Sequence, residues 1–289
     1  MSIKIKGWSK LVQIVPSTGY SLDVEIERYP DGTPFTKTWP KDGVNISTIE
    51  VVTTTVSELV DALFYVDALR ARGHSVGNLY LPYVPGARQD RMNREGDYLF
   101  ALKSVAALIN AREFKKVTVV DPHSEVTPAL INNSEVITVG DIFNDGVFKF
   151  RDAYDYVVAP DAGAVKRAAL VGKFFSIPVL QGWKVRDIST GELTGFGIQD
   201  HDQGPEPTYL IVDDICDGGG TFMGLAAEIQ NNHGNAVLDL YVTHGLFSKG
   251  SATGLHAAFT NVFTADTIVE ERNRAVVQVI PINRNKIGN

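Results

Sequence analysis

Residues 208–229 read TYLIVDDICDGGGTFMGLAAEI. Three segments are written into this stretch. Leu210–Val212 belongs to an apolar run of the kind buried on both faces of a parallel sheet. Phe222, Leu225, Ala226 and Ile229 then recur at the i, i+3, i+4, i+7 spacing of one helix face. Between strand and helix stand three carboxylates, Asp213, Asp214 and Asp217, and three consecutive glycines, Gly218, Gly219 and Gly220. Glycines permit positive φ and carry no Cβ, so successive backbone N–H groups can turn toward one anion. Thr221 opens the helix, whose N-terminus adds partial positive charge toward the same point. The loop therefore reads as a phosphate cradle, and a side chain at Gly219 is expected to occupy the anion's place. Aspartates do not serve a phosphate directly, but they suit vicinal sugar hydroxyls. A sugar phosphate satisfies both halves of the loop. The Walker A pattern is absent, which excludes a P-loop NTPase.

The same unit recurs along the chain. KKVTVVDPHS (115–124) and YDYVVAPDAGAVKRAAL (154–170) also run from a β-branched strand into an acidic loop. Leu102, Val105, Ala106 and Ile109 mark another helix face, and Thr55 with Glu58 suits a capping box for the helix that Gly73 ends. Strands alternating with helices predict an α/β fold with ligands at the carboxyl ends of the strands. The two richest acidic loops lie about ninety residues apart, which predicts two α/β domains. We assign them to residues 1–138 and 139–275, with a C-terminal tail, 276–289, packing back on the first.

Composition narrows the function classes. The 289 residues are 44% apolar and 21% charged, with a formal charge of −7, which argues against broad nucleic-acid binding. Cys216 is the one cysteine, so no intramolecular disulfide forms and a reducing compartment is expected. No stretch approaches 18 apolar residues, and MSIKIKGWSK lacks a signal-peptide core. The expectation is a cytoplasmic protein with no membrane contact.

Three further segments carry chemistry. YLPYVPGARQDRMNRE (80–95) packs Arg88, Gln89, Asp90 and Arg91 after a Pro-bounded strand; guanidinium forks match phosphate oxygens, and glutamine can reach a base edge. DPHSE (121–125) places His123 among acids at a strand's carboxyl end. LQGWKVRDISTGELTG (180–195) reads as a polar loop carrying Lys184 and Arg186.

In this order the motifs resemble those of the ribose-phosphate pyrophosphokinase (PRPP synthetase) family, and the 213–221 loop also resembles that of type I phosphoribosyltransferases. The resemblance runs from about residue 28 to 270. It implies two type I phosphoribosyltransferase-like domains, each a mostly parallel sheet flanked by helices. It implies transfer of the β,γ-diphosphoryl group of ATP to the 1-hydroxyl of ribose 5-phosphate, giving PRPP and AMP, with Mg²⁺. Arg88 and Gln89 are implied to hold ATP, with Asp90 in support; His123 to meet its phosphates or the metal's water shell; Asp161 to face metal and ribose. Lys184 and Arg186 match the catalytic lysine and arginine of the family's flexible loop. Asp213, Asp214, Asp217, Gly218, Gly219, Gly220 and Thr221 would hold ribose 5-phosphate. RYPDGT (28–33) resembles a segment that reaches the adenine site of a neighbouring subunit, so Asp31 is implied at ATP and a homo-oligomer with shared ATP sites is expected. Lys166 and Arg167 are read as helix-opening, structural residues. VTHGLFSKGS (242–251) resembles the family's Thr-His-Gly segment. The chain departs from the pattern at Gly218 (usually Thr), Gly86 (an aromatic), Met92 (Lys), Ala164 (Gly), Val185 (Arg) and Thr33 (Glu). Two alternatives remain at this point: a phosphoribosyltransferase that consumes PRPP, and a catalytically silent nucleotide-binding homologue.

Overall fold

The computed structural model describes residues 12–16, 22–92, 99–145, 154–186, 193–202, 204–283 and 287; side chains of 12–16, 185, 186, 193 and 194 lie outside that set. These residues form two compact units. One holds the residues up to Ile137 together with Asn283 and Ile287, and the other is Thr138–Ile282.

In the first unit the elements run β1 (Val12–Pro16), β2 (Leu22–Val24), β3 (Glu27–Arg28), β4 (Pro34–Phe35), β5 (Ile46–Val51), α1 (Val56–Ala71), β6 (Val76–Leu81), α2 (Ala101–Asn110), β7 (Lys116–Val120), α3 (Val126–Leu130) and β8 (Ser134–Ile137). The sheet order is β2-β1-β5-β6-β7-β8. β5 to β8 are parallel, and β1 pairs antiparallel with both β2 and β5. Leu59, Leu63 and Val66 of α1 and Leu102, Val105, Ala106 and Ile109 of α2 form one core with Ile49, Leu79, Val117 and Val119. The spacing read for α2 is thus its buried face. Thr55 caps α1 by accepting from Glu58 N at 3.2 Å. The expected reciprocal bond runs otherwise: Thr53 Oγ1 donates to the Glu58 carboxylate and accepts from Thr55 N at 3.1 Å. Gly73 ends the helix at φ +84°, a left-handed conformation that costs glycine nothing.

The second unit runs α4 (Val139–Asn144), β9 (Tyr156–Ala159), α5 (Val165–Phe175), β10 (Val179–Arg186), β11 (Leu193–Ile198), β12 (Thr208–Cys216), α6 (Gly220–Asn232), β13 (Val237–Gly245), α7 (Ser251–Leu255), β14 (Asn261–Ala265), α8 (Glu271–Arg274) and β15 (Gln278–Ile280). Its sheet order is β11-β10-β9-β12-β13-β14-β15, with β11 antiparallel and the rest parallel. Chain order steps outward from β9 to β10 on one side and from β12 to β13 on the other. β9 and β12 therefore flank a topological switch point, where loops diverge and leave a crevice at the carboxyl ends.

Two expectations are corrected here. Residues 180–186 are strand, because β10 pairs with β9 on one side and with β11 on the other. Residues 278–280 pair with β14, so a separate tail does not begin at 276; hydrogen bonding of β15 draws them into the second sheet. Among the described residues, no helix is long and apolar enough to cross a membrane.

Candidate active site

β9 and β12 deliver their loops side by side. β9 ends at Ala159 and is followed by Asp161, whose carboxylate accepts from Gly163 N at 2.9 Å and from Lys184 Nζ at 2.6 Å. The sheet thus brings together two residues expected in the site. Burial works against the charge on Asp161, but Lys184 and the backbone N–H groups of Gly163 and Ala164 outweigh it and hold the carboxyl below its ordinary range. The Lys184 side chain is 29% exposed, so the ammonium is tethered but reachable. The backbone of Arg186 lies at the end of β10, and its side chain lies outside the described residues.

β12 carries Asp213 and Asp214 into the sheet's end, where their side chains are 17% and 7% exposed. Burial, and then the charge of Asp214, push the Asp213 carboxyl well above the ordinary range; Arg167 opposes this. Arg167 Nη1 lies 3.6 Å from Asp213 Oδ1 and 3.9 Å from Asp214 Oδ1. This arginine, read from sequence as structural, lies beside both acids and opposes the upward push on Asp213. Its signal was in the sequence: it stands three residues after Ala164 and four before Val171, on the buried stripe of α5. Buried charges require partners, and the two acids of β12 pointed to one.

The glycines then turn the chain. Gly219 caps α6 at φ +78°, the one positive φ among the three. A Cβ there would meet Leu255 at 3.4 Å and Ser251 at 3.5 Å, whereas at Gly218 and Gly220 it would meet nothing within 4 Å. The expected role of Gly219 is therefore corrected. It makes the turn and packs on α7, and the open face belongs to its neighbours. Ser251 Oγ donates to Asp217 O at 2.7 Å, fixing the loop's approach. Helix α6 is 13 residues long, and its first N–H groups have no intrahelical acceptor, which is the physical basis of an anion site. Cys216, fully buried at the foot of this loop, has its thiol pushed up to about 12 by burial and by the charges of Asp217 and Asp213.

The first unit assembles the other group. Gly86 adopts φ +82°, and a Cβ there would press on Ala101 at 3.3 Å, which explains a glycine at this turn. Asp90 is buried, whereas Arg88 and Gln89 are exposed. Burial opposes its charge, yet hydrogen bonds from Arg91 and Ser124 and the field of Arg91 and His123 hold its carboxyl below the ordinary range. Asp90 is thus the pivot that holds the Arg-Gln-Asp-Arg turn beside the His123 loop. Asp31 sits apart in the β3–β4 hairpin, where it accepts from Thr33 N at 2.9 Å. Arg28 ties that hairpin to α1 by donating to Asp61 at 2.5 Å and Ser57 at 2.8 Å.

The chain is 29% identical over 271 residues to the ribose-phosphate pyrophosphokinase of Thermococcus kodakarensis, covering 90% of each chain. It is 26% identical over 269 residues to the ribose-phosphate pyrophosphokinase of Pyrococcus abyssi, covering 92% of this chain and 91% of that one. This chain is a relative of the ribose-phosphate pyrophosphokinases. A solved phosphoribosylpyrophosphate synthetase from Mycobacterium smegmatis shares its fold, with a TM-score of 0.74 at 20% identity over 91% of this chain and 87% of that one. No family model matches. The departure from the resemblance at Gly218 now has a physical description: a Cβ there would meet nothing within 4 Å.

Proposed function

We propose that the protein is a ribose-phosphate diphosphokinase, which transfers the β,γ-diphosphoryl group of ATP to the 1-hydroxyl of ribose 5-phosphate and releases AMP. The observation that carries this reading is the pairing of Lys184 with Asp161 at 2.6 Å, in the same unit as the 213–221 loop. A phosphoribosyltransferase that consumes PRPP shares the loop but has no use for that lysine together with the Arg-Gln-Asp-Arg turn.

In this mechanism Arg88 and Gln89 hold ATP, Asp90 orients their turn, and His123 lies toward the phosphates. The acids at 213 and 214 accept from the ribose hydroxyls, while the N–H groups after Gly218 take the 5-phosphate. Phosphoryl transfer is governed by positioning and charge stabilisation. Lys184 and Arg186 oppose the charge that develops on the transferred group. Asp161 offers the hard oxygen that Mg²⁺ prefers, and this cation is commonly bound by one or two carboxylates plus substrate phosphates. When bound, Mg²⁺ supplies neutralisation of the phosphate charge. Mg²⁺ held at Asp161 would compete with the Lys184 ammonium for that carboxylate. We place the enzyme in the cytoplasm, as its one cysteine suits a reducing compartment.

The deciding assay is AMP release from ATP, Mg²⁺ and ribose 5-phosphate by the pure protein. No AMP would refute the reading, and PRPP consumption with a nucleobase would install the phosphoribosyltransferase instead.

The isosteric pair Gly218→Thr and Gly218→Val isolates one hydroxyl at the cradle. A hydrogen bond to a charged group contributes about 1.5–3 kcal/mol. The threonine variant is therefore expected to show a ribose 5-phosphate KM roughly tenfold or more below the valine variant. Equal KM values would mean that no anion sits beside residue 218.

If Asp31 meets the ATP of a neighbouring subunit, as the resemblance implies, activity is expected to fall on dilution to the monomer. A fully active monomer in sedimentation would remove the shared site.

A further inference from the structure

The hairpin carrying Lys184 is fitted to its surroundings at three glycines. A Cβ on Gly182 would lie 2.9 Å from Ala159 O and 3.0 Å from Pro160 O, so β10 lies tight against the end of β9. A Cβ on Gly197 would lie 2.2 Å from Trp183 Cζ2, so the indole covers its cross-strand partner. A Cβ on Gly224 would lie 2.1 Å from Phe196 Cε2, so the phenyl ring is seated on the backbone of α6.

Phe196 is directly opposite Lys184 in the β10–β11 register. Directly opposed residues in an antiparallel pair share a face, and alternation puts Trp183 and Gly197 on the other. One ring therefore links β11, the strand paired directly with the lysine's own, to the helix whose first turn forms the anion cradle. Gly224 lies four residues after Gly220, one turn above the cradle. Glycine inside a helix is unfavourable relative to alanine, so its use here has a cause in packing. The seat admits the ring only without a methyl group.

We propose that Phe196, seated on Gly224, is a positioning residue that sets the distance between Lys184 and the anion cradle. The role rests on the diphosphokinase reading, because that reaction needs the ammonium and the phosphate-bearing sugar in one fixed geometry. Neither Phe196 nor Gly224 is assigned contact with substrate.

The test uses the full-length chain with Gly224→Ala, Phe196→Leu and the double variant. A displacement on the ångström scale costs up to about 100-fold in rate. Gly224→Ala is expected to lower turnover by about 10- to 100-fold, with KM for both substrates within about two-fold. Phe196→Leu in that background makes room for the new methyl, and turnover is expected to recover to within about three-fold of the parent, since contacting residues couple. A folded Gly224→Ala with parental turnover overturns the proposal, and so does a double variant no faster than Gly224→Ala. If Gly224→Ala does not fold, Phe196→Leu alone decides: turnover lowered at retained KM supports the role, and unchanged turnover overturns it. If the parent releases no AMP, the diphosphokinase reading falls by itself. Hydrogen exchange at Gly195–Ile198 then judges the seat: faster exchange in Gly224→Ala supports it, and equal exchange overturns it.

Discussion

Lys184→Ala is expected to bind ATP and ribose 5-phosphate nearly normally and to form PRPP at least about 100-fold more slowly. A cation that meets the phosphoryl group chiefly in the transition state acts on kcat more than on KM. Loss of one preorganised donor typically costs about 10²–10³ in rate, or roughly 3–4 kcal/mol. The ammonium donates to Asp161 at 2.6 Å, so the substitution also takes a hydrogen-bond donor from a partly buried carboxylate. That carboxyl is held below its ordinary range while paired. The pair therefore contributes stability above about pH 4, which is lost as pH falls through the depressed value. Lys184→Ala should lose this acid-side dependence, which gives a check on the geometry independent of turnover. Arg186→Ala should slow turnover similarly, and the double variant should lose less than the product of the two. Lys173, exposed on α5, is the control, and its alanine variant should stay within about two-fold. Parental turnover in Lys184→Ala would end the proposed mechanism.

The second large effect is expected at Arg167. Arg167→Ala leaves the half-buried Asp213 and the buried Asp214 adjacent without the guanidinium that lies 3.6 and 3.9 Å away. Removing one partner of a buried ion pair costs about 3–5 kcal/mol. The sign of the pH dependence follows from Asp213. Its folded carboxyl sits well above the ordinary range, so the folded state keeps a proton that the unfolded chain gives up near pH 4. The stability linked to that proton is present below about pH 4 and is lost as pH rises through the folded value. Without Arg167 the folded value rises further, so the variant should approach the parent in acid and fall away toward pH 8. Urea unfolding at pH 5 and pH 8 measures this. A deficit equal at the two pH values would assign the loss to packing and not to charge.

How much of this is legible in the sequence depends on the range of the interaction. The α2 and α6 faces, the buried strands and the cradle's turn are written locally, in apolar spacing and in glycine, and the structure places them where the pattern does. The 180–186 strand reads as a loop because Gln181, Gly182, Lys184 and Arg186 break up the apolar Leu180, Trp183 and Val185. Its regularity comes from β9 and β11, partners that no local pattern reports. The tail from 276 misleads for the same reason, since β15 exists through its pairing with β14. Arg167 lies within a recognised motif, but its partners are more than forty residues away. Gly224 and Gly197 give only the signal of glycine out of place, and the rings that explain them come from other elements.

Cys216 is the one sulfhydryl in 289 residues, and it is sealed at the foot of the cradle with its ionisation suppressed. A thiol reagent can reach it only when the end of β12 opens. The rate of its modification is therefore a clock for opening of the second unit, read at a single position and without an engineered probe. On the proposed reading ribose 5-phosphate is held by residues on both sides of this cysteine, from Asp213 to Thr221, and should slow that clock. Its affinity then becomes measurable from labelling half-times, in the absence of ATP and of any turnover.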